Sequence, residues 1–323
     1  MAKGKKSVLL LLCVLVLMAC GNNSNQEETI SDAQKTAESM QNISPMLPKE
    51  PDMVNDAAEE FLGDVLSDSQ IMIEPNGITL ESRFLVPEGY ERTPAEKGSL
   101  TNFLRGYELK ADGEPVLLYN DNPKGNQTVH AAVFALPIED VDLQQCADSV
   151  MRVYAEYYWQ SGQYDKIAFH FTNGFLCEYS KWREGYRVAV NGNNVSWEKT
   201  AEYDESYDSF VKYMRMVFTY AGTLSMDSLE SETIQLSELQ VGDVILKGGS
   251  PGHVVMVVDV CVNGEGQKAF LLAQGYMPAQ EFHIINNPLH ENDPWYYAEE
   301  MSFPLETAEY TFAEESMIRR LNY

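Results

Sequence analysis

Positive charge is scarce in this chain: 23 Lys and Arg stand against 49 Asp and Glu, a formal charge of −26 over 323 residues. Residues 1–19 hold three of the lysines and no acid, so the chain from residue 20 onward carries 20 cations and a formal charge of −29. A nucleic-acid binder held by phosphate contacts needs a basic surface, so that class is excluded. Binding to anionic lipid by surface charge is disfavoured for the same reason. Cysteine is sparse too, at five residues, with no Cys-x-x-Cys pair and no His-x-x-x-His spacing. The expectation is no structural zinc, no other metal and no cofactor. Long apolar runs are missing: the longest, Val8 to Leu17, is about half of the roughly 20 residues a spanning helix needs.

What that short run does have is context. Lys3, Lys5 and Lys6 precede it, and Leu17-Met18-Ala19-Cys20-Gly21 ends it. A basic start, a short apolar stretch and small residues before a cut site make a secretory signal over residues 1–19. Leu-x-Ala-Cys-Gly also resembles bacterial lipoprotein signals, which implies cleavage before Cys20 and diacylation of its sulfur. Membrane attachment would then run through the lipid on Cys20. Residues 20–69 read as a polar, acidic linker that cannot bury enough apolar surface to fold. The acids soon after Cys20 resemble a surface-export signal of some Bacteroidetes lipoproteins. Together these cues place the protein at the outer membrane, on its periplasmic or surface face. Once Cys20 is lipidated, Cys146, Cys177 and Cys261 remain, an odd number that leaves at least one thiol free.

Residues 70–323 read as one globular α+β domain. Leu117-Leu118-Tyr119 and Val129 to Leu136 read as strands joined by a hairpin loop at 120–125. The strongest helix signal covers 142–160, with Asp142 as N-cap and Leu143, Ala147, Val150, Tyr154 and Tyr157 at helical spacing. Asp148, Arg152 and Glu156 lie four apart and read as a solvated charge ladder. A second helix is expected over 206–221, stopped by Gly222. Further strands are expected at 243–247, 253–262 and 269–274. The run Val254-Val-Met-Val-Val258 is too continuously apolar for a strand with one wet face, so it belongs mid-core. Helices first and an antiparallel sheet after give the α+β class.

The stretch 236–275 resembles the C-terminal half of papain-like NlpC/P60 cell-wall peptidases. The likeness rests on Leu239-Gln-Val-Gly-Asp243, on His253 opening an apolar strand, and on Gln274 in the strand after. It implies a papain-like core with an N-terminal β elaboration, His253 as general base and Gln274 as the group that orients it. The nucleophile of that family opens the preceding helix, in Asp-Cys-Ser-Gly-Phe. Ser206-Tyr207-Asp208-Ser209-Phe210-Val211 aligns there, and Tyr207 falls where Cys should be. Cys146 is the other candidate nucleophile, in the first turn of the strong helix, where the dipole favours thiolate; Gln144 or Gln145 would be its oxyanion donor. The bland alternative for Cys146 is a buried core thiol.

Residues 80–315 also resemble an uncharacterised family of Bacteroidetes lipoproteins, domain of unknown function 4846. That likeness rests on Leu143-Gln-Gln-Cys-Ala-Asp148, Phe169-His-Phe-Thr-Asn-Gly174, Gly248-Gly-Ser-Pro-Gly-His253 and Ala273-Gln-Gly-Tyr-Met-Pro-Ala-Gln280. It implies no activity. Two functional readings are open. The first is a non-catalytic binding or scaffolding module descended from a cell-wall peptidase, taking a peptidoglycan peptide, a glycan or an envelope protein in a cleft near His253 and Gln274. The second is an active cysteine peptidase or amidase using Cys146, His253 and Gln274. Lys181, Trp182 and Arg187 gather cation and indole in an acidic chain, as a sugar or carboxylate site would. An internal salt-bridge role explains them equally well. His170, between two phenylalanines, reads as a strand-face residue.

Overall fold

A computed structural model describes residues 72–323. The signal segment, Cys20 and the linker to residue 69 lie outside the described residues.

Helices α1 (Leu80–Arg83) and α2 (Leu100–Arg105) and strands β1 (Tyr90–Arg92) and β2 (His130–Val133) come first. The long helix α3 (Cys146–Gln160) is next. Two hairpins, β3–β4 (Ala168–His170, Leu176–Glu178) and β5–β6 (Tyr186–Asn191, Asn194–Lys199), flank α4 (Tyr179–Arg183). Helices α5 (Tyr207–Tyr220) and α6 (Thr223–Leu229) lead into β7 (Ser231–Thr233), β8 (Val244–Lys247), β9 (His253–Asn263) and β10 (Lys268–Gln274). The chain closes with β11 (His283–Ile285), β12 (Tyr296–Tyr297), the small hairpin β13–β14 (Leu305–Glu306, Thr311–Phe312) and β15 (Ile318–Leu321). This is a mixture of helices and one large antiparallel sheet of nine strands, ordered β2-β11-β10-β9-β8-β15-β7, with β1 on β9 and β12 on β10.

Strand β9 explains the continuous apolar run. Val254, Met256 and Val258 join the core that contains Ala147, Val150 and Met151 of α3. Val255 and Val257 join a second core with Ile245, Leu272 and Phe312. Successive strand side chains alternate faces, so a strand covered on both sides needs apolar residues at every position. Where β9 carries a charge, the charge is paired: Asp259 is fully buried and accepts from Arg92 at 2.7 Å and Arg105 at 2.8 Å.

Three sequence expectations need correction. Leu117–Tyr119 and β2 do not pair with each other: β2 pairs with β11, and the 116–124 segment folds back on itself through Leu118 N–H to Asn122 O and Lys124 N–H to Val116 O. The strong helix starts at Cys146, not after Asp142; the Asp142 carboxylate instead accepts from Ala279 N–H at 2.7 Å and from the Gln145 amide at 3.1 Å. The ladder Asp148, Arg152 and Glu156 is buried rather than solvated, because α3 is covered by the sheet on one side and by α5 on another. Arg152 donates to Glu156 at 2.8 Å and to Tyr207 Oη at 2.9 Å, and its guanidinium lies over the Phe210 ring. Cys146, Cys177 and Cys261 are all free and buried.

Candidate functional site

His253 opens β9 and Gln274 ends β10. Their alternation places both side chains with Val255, Phe270 and Leu272, on the sheet face away from α3. There His253 Nε2 meets Gln274 Oε1 at 2.7 Å. The Gln274 amide nitrogen in turn donates to Glu309 at 2.7 Å, which fixes Oε1 as the atom facing the imidazole. His253 Nε2 is therefore the protonated nitrogen, and Nδ1 holds the lone pair. The carboxylate of Glu309, in the turn of β13–β14, also takes Lys124 Nζ, and His283 Nε2 stands 3.7 Å from it. The imidazole is covered by Tyr276, Tyr310 and Phe312, with ring centroids 4.6, 4.7 and 6.1 Å away. At 2 % exposure it is closed in, and burial pulls its pKa down to about 4. It is neutral at physiological pH.

Cys146 lies in the core under α3. It is the first residue of α3, whose Ala147, Val150 and Met151 pack on Val254 and Met256. Gly275 marks the alternation: a Cβ there would lie 2.2 Å from Ser149 Oγ of α3, so Gly275 faces α3 while Gln274 beside it faces away. The thiol rests near the backbone N–H groups of Ala147, its own residue and Val254, which pull its pKa down. Burial and the neighbouring Asp148 outweigh them and push it up to about 11. Helix-dipole activation of a thiol is overridden here by desolvation. The structure thus brings His253 and Gln274 together, and sets Cys146 in the core under α3, beside the backbone of Val254.

Tyr207 is in neither place. It opens α5, but its Oη donates to Glu156 at 2.6 Å, ten residues or about 15 Å along α3 from Cys146. The alignment that puts Tyr207 at a nucleophile position selects a helix whose first turn packs on the far half of α3. Gln144 points to Arg152 at 3.4 Å, whereas Gln145 lines the space beside Cys146.

That space is a cleft of about 360 Å³ between the start of α3, the start of α6 and the glycine-rich loop before β9. Gly252 makes the loop's close approach possible, since a Cβ there would fall 2.2 Å from Thr223 Oγ1. Thr223 Oγ1 donates to Gly249 O at 3.0 Å and ties α6 to the loop. Cys146, Asp148, Thr223, Gly252 and Met277 are among the residues that line it; His253 and Gln274 are not.

Lys181, Trp182 and Arg187 line no part of this cleft. Trp182 is buried, with its indole N–H directed to Ser209 Oγ at 3.2 Å. Arg187 stacks on that indole at 4.2 Å and donates to the Trp182 carbonyl at 2.8 Å. Lys181 pairs with Glu178. The contacts of all three are internal. His170 sits on β3 with Nδ1 3.2 Å from Glu230.

Sequence reasoning missed Glu309, Lys124 and His283. They are distant in the chain, and no spacing links a residue in a short C-terminal turn to a strand end. Among the described residues, no group of three or more His, Cys, Asp or Glu is arranged to hold a metal ion, and no helix is long and apolar enough to cross a membrane.

The fold defines an α+β domain with a core on each face of one sheet. The chain belongs to the family described as domain of unknown function (4846), whose model matches residues 80–319. Nothing among curated proteins or solved structures matches it.

Proposed function

We propose that this is a lipid-anchored envelope protein whose globular domain is a non-catalytic binding module, descended from a papain-like cell-wall peptidase. The observation that supports the reading is that the Cys146 thiol is packed in the core under α3, while His253 is hydrogen-bonded to Gln274 and covered by Tyr276, Tyr310 and Phe312. A cysteine hydrolase needs its base within hydrogen-bond reach of the thiol. Here the thiol is buried and neutral, and the imidazole is enclosed by aromatic rings. The ancestry rests on the order Gly-Asp strand, His-led strand and Gln-ended strand beside a helix that begins with Cys. The anchor rests on Leu17-Met-Ala-Cys20, and Cys20→Ala should release the protein from the membrane fraction.

The ligand classes are a peptidoglycan peptide, a glycan or an envelope protein, held in the cleft at the start of α3. Incubation of the purified protein with muropeptides tests this. The expected result is retention without any change in muropeptide mass. Hydrolysis that Cys146→Ser or His253→Ala abolishes would overturn it.

A further inference from the structure

We propose that the cleft at the start of α3 is a binding site for a primary amine carried on an apolar chain, with Asp148 as its counter-charge. This rests on the reading of the cleft as a ligand site.

Asp148 is the third residue of α3 and is only 6 % exposed. Its Oδ2 accepts from Gln145 N–H at 3.1 Å, and its Oδ1 has no partner. A buried carboxyl oxygen left unpaired costs free energy. Burial pushes the carboxyl up to about 8. A docked ammonium ion is the group that relieves this, the carboxyl giving its proton to solvent as the pair forms.

The surroundings agree with a cation. Among the described residues, no Lys, Arg or His lines the cleft, and the other ionisable carboxyl there is Asp142 at the exposed rim. An anionic ligand would meet the Asp142 carboxylate, the Asp148 carboxyl and no cationic side chain. The wall beside them is apolar: Leu143, Phe218, Leu224 and Met277. Leu224 and Met277 are 50 % and 51 % exposed, unusual for large apolar side chains that serve only packing. A carboxyl at the floor and apolar surface at the rim suit an amine whose carbon chain lies along the wall.

Leucinamide is the direct probe, with N-acetylleucinamide as the neutral control and N-acetylleucine as the anionic one. Each is titrated into the ¹⁵N-labelled protein and followed at the amides of Ala147, Asp148, Gly249 and Gly252. Leucinamide should shift these amides. N-acetylleucinamide should bind at least about tenfold more weakly, and N-acetylleucine should leave them unmoved. Asp148→Asn, which keeps the side chain's shape, should weaken leucinamide at least about tenfold, and the exposed-site variant Met277→Ala should weaken leucinamide and N-acetylleucinamide together. Equal binding of the anionic probe, or leucinamide binding unchanged in Asp148→Asn, overturns the proposal and leaves the non-catalytic reading standing. Cleavage of a peptide through Cys146 would overturn that reading instead, without touching the preference for an amine.

Discussion

At the scale of single residues, burial decides the chemistry. His253 is held neutral because a charged imidazole under Tyr276 and Tyr310 would lose its hydration. Its folded pKa of about 4 lies below the ordinary 6.5, so between these values the unfolded chain binds a proton that the native state refuses. The contribution is complete above pH 6.5 and is lost as pH falls toward 4. It amounts to about 3 kcal/mol. His283, also pulled down by burial, acts in the same direction. Denaturant midpoints across pH 4–7 should fall with acid, and His253→Gln should flatten the profile. Asp148 has the opposite sign. Its carboxyl is raised to about 8, so it weakens the fold as pH rises from about 4 through 8. Asp148→Asn should therefore stabilise the protein at pH 7 by more than about 1 kcal/mol, read as an increase in Tm.

At the scale of elements, periodicity made much of the fold legible in the sequence. The helix from 206 appears as α5 with Ser206 capping Ser209 N–H, and β8, β9 and β10 fall where apolar runs and turn residues put them. The Val254–Val258 run marks a strand covered on both faces. The charge ladder on α3 is buried despite its pattern, because spacing reports which residues share a face, not whether a neighbour covers it. Partners such as Tyr207 and Phe210 arrive from more than fifty residues away. The site escaped the sequence for a related reason. Motif order picks out Cys146, His253 and Gln274, but side-chain parity along β9 and the fit of α3 on Gly275 decide which core each neighbouring residue joins. Two substitutions test this packing. Val255→Asp places an unpaired carboxylate among Ile245, Val257 and Leu272, and should abolish folding, since the cost approaches a typical domain's whole stability of roughly 5–15 kcal/mol. Gly275→Ala drives a methyl into Ser149 and should cost about 1–3 kcal/mol by chemical denaturation, recovered in part by Ser149→Gly.

At the scale of the whole molecule, the sheet carries a core on each face. One face carries α3, over the core that holds Cys146; the other carries the His253–Gln274–Glu309 chain under its aromatic cover. A papain-like peptidase requires a reactive thiol beside its base; here burial keeps the Cys146 thiol neutral, which is why we read the domain as a binder. The measurement that tests this most directly is the rate of Cys146 alkylation against pH, with Cys177 and Cys261 replaced by Ala, in the wild-type background and in His253→Ala. The expected result is a thiol that resists alkylation until the protein unfolds, or titrates far above the roughly 8.5 of a free cysteine, with no change when His253 is removed. A thiol that reacts with a pKa well below 8.5, and loses that reactivity in His253→Ala, would show the two residues working as a catalytic pair and would overturn the binding-module reading.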